Sequence, residues 1–124
     1  MMQPAHRWND LQQRAKLFLN RPAYKYSTMD TDKLPQTGGV YLICLVDDTL
    51  EETPLYINFT SNLRNEILTK RTAFILTQLK SPQKAAEVLK SNCYLRYIAE
   101  SDPKEQMALT VAISLELKPL YLNN

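Results

Sequence analysis

The side chains whose types and spacing suit chemistry on a phosphate are two tyrosines and a pair of arginines. Tyr41 lies in the apolar segment VYLICLV and Tyr56 in the apolar segment LYINF. Arg64 and Arg71 are seven residues apart, which places them on one face if the chain between them is helical. A phosphate on which charge develops needs a cation and a fixed hydrogen-bond donor. Core aromatics and a solvated helix face remain the alternative interpretation of the same residues.

Residues that could bind a metal are few and poorly spaced. The acidic loop after the first apolar segment contains four carboxylates, Asp47, Asp48, Glu51 and Glu52. Their spacing is not that of a calcium-binding loop, and a solvated turn is the simpler interpretation. Cys44 and Cys93 are too far apart in sequence for a zinc motif, so we predict buried free thiols. The residues by themselves predict no cofactor.

Length and composition are typical of one folded domain. The chain has 124 residues, of which 44% are apolar and 23% charged. Its formal net charge of +2 is too small to indicate a nucleic-acid-binding protein by itself, although basic residues predominate over the first 33 positions. The start of the sequence does not resemble a signal peptide, and no apolar run approaches the ~20 residues that span a bilayer. We therefore expect a cytoplasmic protein that does not enter a membrane.

The N-terminal region predicts a helix followed by a loop. Apolar residues recur at helical spacing, namely at Trp8, Leu11, Ala15, Phe18 and Leu19. Residues 20–36 show no period and contain prolines, which predicts a loop. We therefore divide the chain into an N-terminal amphipathic helix and loop, residues 1–33, and a main domain, residues 34–124.

Three segments of the main domain predict β-strands. VYLICLV, residues 40–46, is apolar at its odd and its even positions and rich in branched side chains. This pattern predicts a strand covered on both faces. LYINF, residues 55–59, follows a turn-rich loop and should form an antiparallel hairpin with it. CYLRYIAE, residues 93–100, has an alternating pattern that predicts a third strand.

Helices are predicted between and after these strands. The residues Thr60, Ser61 and Asn62 offer an N-cap for a helix. This helix should turn Leu63, Ile67 and Leu68 inward. Residues 71–80 favour a second helix, and Ser81-Pro82 should begin a third. The elements predict an α/β, or α+β, sandwich, in which helices flank a three-stranded antiparallel sheet and an extra helix precedes it.

The closing helix has the clearest N-terminus. Asp102 as the N-cap and Glu105 three residues later match a capping box, and a proline occupies the first helical position. The residues expected to face the core are Met107, Ala108, Val111, Ala112 and Leu115.

Three segments, LPQTGGVYLI, PLYINFTSNLRNEI and EQMALTVAISLELKPLYLN, together resemble the GIY-YIG nuclease domain in their order and spacing. Gly39-Val40-Tyr41 stands for the first triplet of that family and Tyr56-Ile57-Asn58 for the second, with Asn58 in place of a glycine. The resemblance covers residues 34–123. It implies a GIY-YIG-like fold and phosphodiester cleavage with one Mg²⁺ held by a helix glutamate. An arginine would stabilise the phosphate, and Tyr41 and Tyr56 would position or activate water.

The resemblance is degenerate at the two charged positions. The family's arginine, ten residues after the second tyrosine, corresponds to Glu66, and its metal-binding glutamate corresponds to Thr110. A neutral hydroxyl cannot replace a carboxylate as the protein's anchor for Mg²⁺. Arg64 lies ~200° around the helix from Glu66 and does not substitute for the arginine. Glu105 and Glu116 lie five residues before and six residues after Thr110, so they point in other directions around the helix and do not substitute for the glutamate.

Three hypotheses follow. The first is a catalytically inactive GIY-YIG-like domain that retains a binding role. Its ligand class is DNA or RNA, bound through Arg64, Lys70, Arg71, Arg7 and Arg14. The second is a protein-interaction or structural module that presents the face of Trp8, Leu11 and Phe18 to a partner. The third is a divergent metal-dependent DNA endonuclease in which the acidic loop holds Mg²⁺.

Overall fold

The structure is a computed structural model that describes residues 4–25, 28–46, 49, 51–68 and 93–117. In chain order its elements are α1 (Pro4–Leu19), β1 (Tyr24–Lys25), a 3₁₀ turn (Thr31–Lys33), β2 (Gly39–Val46), β3 (Glu52–Thr60), α2 (residues 63–68), β4 (Cys93–Ala99) and α3 (Pro103–Leu117). The helices predicted at residues 71–80 and after Ser81-Pro82 lie outside the described residues. Within those ranges, no helix is long and apolar enough to cross a bilayer.

The described strands form one antiparallel sheet in the order β1-β4-β2-β3. β2 pairs with β3 from Gly39 opposite Thr60 to Val46 opposite Glu52, and it pairs with β4 along its other edge. The α+β sandwich and its three predicted strands are therefore confirmed. β2 occupies the centre because its odd and its even positions are apolar, so it can be covered on both faces.

Part of the predicted loop at residues 20–36 is regular structure. Tyr24 and Lys25 pair with Leu95 and Tyr94 of β4, so a short fourth strand extends the sheet. The ring of Tyr24 stacks on that of Tyr97, with the ring centroids 5.8 Å apart. Such a short segment has no measurable period, and its extended form comes from pairing with β4.

The sheet separates two apolar clusters. On one face, which we call the α2 face, Tyr41 and Ile43 pack with Leu63 and Ile67 of α2. On the other face, the α1/α3 face, side chains of β2 pack beneath helices α1 and α3. The alternation of side chains along β2 therefore decides which residues belong to which cluster.

The two cysteines are buried free thiols, as predicted. Cys44 belongs to the cluster on the α1/α3 face and Cys93 to the cluster on the α2 face. Burial raises the pKa of the Cys44 thiol to about 12. The two thiol groups therefore lie on opposite sides of the sheet.

Helix α1 forms where the apolar spacing predicts it, and most of its apolar face joins the core. Leu11 and Phe18 are buried against β2 and α3. Trp8 is 37% exposed and lies at the edge of this contact. The proposed interaction face of Trp8, Leu11 and Phe18 is thus reduced to Trp8, since the other two side chains cover the sheet. The proposed domain boundary at residue 33 stays a prediction.

The Gly38-Gly39 pair is explained by close packing at the start of β2. A Cβ atom at Gly39 would overlap the carbonyl oxygen of Ile98, and one at Gly38 would overlap the side-chain amide of Gln106. That amide is buried and donates to the carbonyl oxygen of Glu100 at 2.5 Å. Both glycines are therefore required by the backbone and by α3, independently of any nuclease site.

Helix α3 begins where predicted, but its cap differs from a capping box. The carboxylate of Asp102 accepts from the Lys104 N–H at 2.9 Å, as an N-cap should. The backbone N–H of Asp102 donates to Glu100 and not to Glu105. The prediction for Glu105 was wrong because its carboxylate binds arginines of α1, which form stronger charge-assisted bonds than a backbone amide does.

The predicted inner face of α3 was also wrong in part. The residues of α3 that are buried are Gln106, Leu109, Ala112 and Ile113. Three of the residues expected inside are exposed instead, Met107 by 56%, Val111 by 50% and Leu115 by 60%. The helix has apolar residues all round, so spacing alone could not decide which side faces the sheet.

The contribution of α1 to the core can be measured at two adjacent positions. Phe18→Ala should lower the free energy of unfolding by ~3–5 kcal/mol, because it removes a fully buried ring and leaves a cavity. Leu17→Ala is the control, since Leu17 is 68% exposed. It should change stability by less than about 0.5 kcal/mol in the same urea titration. Equal effects of the two variants would contradict the packing described for α1.

Candidate functional site

The two tyrosines that carry the resemblance project from the same face of the sheet. Tyr41 of β2 lies opposite Asn58 of β3, and Ile43 lies opposite Tyr56. Because side chains alternate along a strand, these positions all point toward the α2 face. The ring centroids of Tyr41 and Tyr56 are 6.1 Å apart. The hairpin register therefore brings both predicted tyrosines together.

Helix α2 adds Glu66 to the three residues Tyr41, Tyr56 and Asn58 on this face of the sheet. Its N-cap is Asn62, as predicted, whose side-chain oxygen accepts from the Asn65 N–H at 3.0 Å. Leu63 and Ile67 anchor the helix in the apolar cluster, whereas Leu68 is 47% exposed, contrary to the prediction. This orientation carries Glu66 to the hydroxyl of Tyr41.

Hydrogen bonds join Tyr41 to Glu66 and Asn58 to Tyr56, and we call these four residues the tyrosine site. The hydroxyl of Tyr41 donates to Glu66 Oε2 at 2.9 Å. The side-chain amide of Asn58 donates to the hydroxyl oxygen of Tyr56 at 3.0 Å, and its carbonyl oxygen accepts from the Phe59 N–H at 2.9 Å. The residue that replaces the last glycine of the second triplet is therefore hydrogen-bonded to the tyrosine of that triplet.

Thr110 is not part of the tyrosine site. It lies on α3, which packs on the α1/α3 face, whereas Tyr41 and α2 lie on the α2 face. Its hydroxyl donates to the carbonyl oxygen of Gln106 at 2.7 Å, one turn back in the same helix. The sheet therefore stands between Thr110 and Glu66, the two substituted positions.

The donor set of the tyrosine site does not fit the Mg²⁺ that the resemblance implies. Glu66 is its one carboxylate, and the second position expected to contribute lies across the sheet. Within the described ranges, no group of three or more His, Cys, Asp or Glu side chains could hold a metal ion. Glu66 also places negative charge where a guanidinium would attract phosphate. The site offers hydrogen-bond acceptors and neutral donors.

Glu52 of the acidic loop is engaged in an ion pair. Asp47 and Asp48 lie outside the described residues. Glu52 accepts two hydrogen bonds from the guanidinium of Arg96, each at 2.9 Å. Its bidentate ion pair raises the pKa of Arg96 and engages both carboxylate oxygens. Nothing in the sequence pattern indicated this partner, because it lies on β4.

Arg64, predicted to contact nucleic acid, is anchored to the chain preceding β2. Its guanidinium donates to the carbonyl oxygen of Leu34 at 2.8 Å and to that of Asp32 at 2.7 Å. These bonds tie α2 to the 3₁₀ turn. Lys70 and Arg71, the other two cations predicted on this helix, lie outside the described residues.

Arg7 and Arg14 of α1 both bind Glu105 of α3. The contact from Arg7 is a hydrogen-bonded ion pair, and Arg14 donates to the second carboxylate oxygen at 3.0 Å. Arg14 also donates to Glu100 at 3.2 Å. The hydrogen bond from Arg7 is the main cause that lowers the pKa of Glu105, and the hydrogen bond from Arg14 lowers it further. Two arginines predicted to bind nucleic acid therefore join α1 to α3.

An apolar groove between α1, β3 and α3 is a feature of the described structure that the sequence did not indicate. Its volume is about 450 Å³, and it is lined by Trp8, Leu11, Phe59, Pro103, Lys104, Met107, Ala108 and Val111. The clue in the sequence was the apolar character of α3 on both of its sides.

A comparison with known protein families finds no match, and a comparison with curated proteins finds none either.

The bond between Tyr41 and Glu66 can be tested by a double-mutant cycle. Tyr41→Phe should lower the free energy of unfolding by ~1.5–3 kcal/mol, because a hydroxyl that donates to a carboxylate is lost. The effect should shrink in the Glu66→Gln background, since the two residues interact directly. Tyr24→Phe is the control at an exposed ring. Additive effects of the two substitutions in urea titrations would contradict this contact.

The ion pairs of Glu105 predict a dependence of stability on pH. The folded-state pKa of Glu105 is lowered from its ordinary value of 4.5, so its contribution is complete above that pH and is lost as the pH falls through the lower folded-state value. Glu105→Gln should therefore destabilise the protein at neutral pH, and the difference from the unmodified protein should vanish in strong acid. The control is Glu116→Gln, at an exposed carboxylate of the same helix. Urea titrations over a pH series measure both, and a difference that persists in acid would contradict the assignment.

Proposed function

We propose that this chain is a catalytically inactive domain related to the GIY-YIG nucleases, whose remaining role is binding. The observation that carries the proposal is the bond between Tyr41 and Glu66. A carboxylate takes the place of the phosphate-stabilising arginine and is engaged by the first tyrosine. The position of Thr110 on the other side of the sheet supports the absence of catalysis only, because the two substituted positions do not converge on one ion.

The proposal extends to the compartment. Cys44 and Cys93 are free thiols held on opposite faces of the sheet, and unpaired cysteines are usual in reducing compartments. We therefore propose that the domain works in the cytoplasm.

Nucleic acid is the first ligand class to test, and the described charges offer it limited support. Arg7 and Arg14 are paired with carboxylates, and Arg64 is bonded to backbone carbonyls. Lys70 and Arg71, the other two predicted contacts on this surface, lie outside the described residues and are the cations that we propose to test first. Binding through these residues should weaken steeply as salt concentration rises.

The experiment combines cleavage and binding assays on the same protein. Supercoiled, branched and single-stranded DNA incubated with Mg²⁺ or Mn²⁺ should remain intact, because the tyrosine site lacks both charged groups of the family. Fluorescence anisotropy with labelled DNA and RNA over a salt series measures binding. The Lys70→Glu/Arg71→Glu double variant should reduce affinity, whereas Lys33→Glu, at an exposed position, should not.

The outcomes separate the three hypotheses. Cleavage that Tyr56→Phe abolishes would overturn the inactive assignment and support the divergent endonuclease. Salt-sensitive binding without cleavage would support an inactive nucleic-acid-binding domain. No binding at low salt would remove nucleic acid as the ligand class and leave the second candidate.

The second candidate function is a protein-interaction module, and the apolar groove favours it. Met107 and Val111 line the groove and are exposed by at least half. Exposed apolar side chains that adjoin a groove are typical of protein contact surfaces. This surface lies on the opposite side of the sheet from the tyrosine site, so the two candidate functions can be tested separately.

A further inference from the structure

A cavity on the α2 face lies between the 3₁₀ turn and the edge of the sheet that β1 and β4 form. We call it the turn cavity. Its volume is about 340 Å³, and its lining includes Tyr24, Met29, Asp30, Lys33, Leu34 and Tyr97. Small-molecule sites in proteins begin at ~300 Å³, so this cavity has room for a small ligand. No residue of the tyrosine site is among the described residues that line it.

Two tyrosine rings form one wall of the turn cavity. Tyr24 and Tyr97 are stacked, with ring centroids 5.8 Å apart and ring planes inclined by 26°. Tyr24 is 46% exposed, so its ring is accessible from solvent. Burial, and to a smaller extent the neighbouring Tyr24, raises the pKa of Tyr97 above its ordinary value of 10.0, so this hydroxyl is neutral at physiological pH. Such a wall suits a planar aromatic group, because aromatic rings attract one another when stacked or edge to face.

The inner end of the turn cavity is apolar. Leu34 is buried and Met29 is partly buried against the cluster on the α2 face. The thioether of a methionine makes favourable contacts with aromatic rings. Asp30 and Lys33, the charged residues of the lining, are exposed and therefore lie toward solvent. A ligand that fits this lining is aromatic at one end and charged at the other.

The two charged side chains of the cavity have opposite signs and do not neutralise each other. Within the part of the chain that the structure describes, Asp30 and Lys33 form no ion pair, either together or with another side chain. The carboxylate of Asp30 caps the 3₁₀ turn, because its Oδ1 atom accepts from the Asp32 N–H at 3.0 Å. Its second oxygen and the Lys33 ammonium group remain for a ligand.

The turn holds the backbone of both charged residues in place. The Lys33 N–H donates to the carbonyl oxygen of Asp30 at 3.1 Å. Arg64 of α2 donates to two further carbonyl oxygens of the same segment, those of Asp32 and Leu34. A preorganised site loses less conformational entropy on binding than a mobile one. This segment is therefore suited to recognise a ligand whose charges have a fixed spacing.

We propose that the turn cavity binds a free aromatic amino acid in its zwitterionic form. The ring of the ligand lies against Tyr24 and Tyr97. Its ammonium group binds Asp30, and its carboxylate binds Lys33. A ligand with positive charge alone would be repelled by Lys33, and one with negative charge alone by Asp30, whereas a zwitterion complements both signs. The small volume of the cavity favours one amino acid over a nucleotide.

Isothermal titration calorimetry of the full chain with four compounds tests the inference. L-Phenylalanine carries both charges and a ring. Phenethylamine lacks the carboxylate, phenylpropionate lacks the ammonium group, and L-alanine lacks the ring. L-Phenylalanine should bind most tightly, and each of the other three should bind several-fold more weakly, because each loses one of the three contacts.

Variants of the two charged residues should show a crossed pattern. Asp30→Asn should weaken binding of L-phenylalanine and phenethylamine several-fold but should not weaken binding of phenylpropionate. It keeps the cap of the turn, since asparagine is an N-cap as good as aspartate. Lys33→Gln should weaken binding of L-phenylalanine and phenylpropionate but not of phenethylamine. A variant that merely distorted the cavity would weaken binding of every compound alike.

The matched controls are Asp32→Asn and Lys16→Gln. Both residues are exposed and neither is among the residues that line the turn cavity. Each control should leave the affinity for L-phenylalanine unchanged. Circular dichroism establishes that each variant is folded. If Asp30→Asn does not fold, Asp30→Ser provides the same test with another residue that caps helical turns.

Three results would overturn the inference. The first is the absence of binding of L-phenylalanine up to its solubility limit. The second is binding of phenethylamine, phenylpropionate or L-alanine as tight as that of L-phenylalanine. The third is an equal effect of Asp30→Asn on all compounds. The inference rests on neither candidate function, so assays with DNA, RNA or protein partners can fail without affecting it.

Discussion

Strand β2 is buried on both faces and paired along both edges, and the rest of the described structure takes its position from it. Pairing with β3 and β4 fixes the register of the sheet, and the alternation of side chains then assigns Tyr41 to one face and Val40 and Leu42 to the other. A shift by one residue would exchange these faces completely. The double burial of β2 therefore determines both the hydrophobic core and the surroundings of Tyr41.

This constraint has a direct consequence for the nuclease resemblance. The register preserves the meeting of Tyr41 and Tyr56, whereas the charged groups that would act on a phosphate are absent from their positions. Glu66 is adjacent to Tyr41, but Thr110 lies across a sheet from it, and stacked layers are ~10 Å apart. A substitution at either position could not rebuild a site in which both groups converge.

Ion pairs between helices influence which surfaces remain available. Glu105 binds Arg7 and Arg14, so these two arginines of α1 are turned toward α3 and their charge is compensated. The same contact holds α1 beside α3 and forms one wall of the apolar groove through Trp8 and Leu11. The groove between the two helices is largely apolar, while the exposed side of α1 carries polar side chains such as Asp10 and Lys16.

The sequence by itself determined the three main strands, helix α1, the N-cap at Asn62 and the start of α3. Each of these depends on a local period or on a capping residue, and such signals act over a few neighbouring positions. The tertiary structure decided the partner of Glu105, the pairing of β1, the location of Thr110 and the side of α3 that faces the sheet. These depend on contacts between residues far apart in sequence. Where a helix is apolar on both sides, as at Leu109 and Val111, only packing against the sheet selects the buried side.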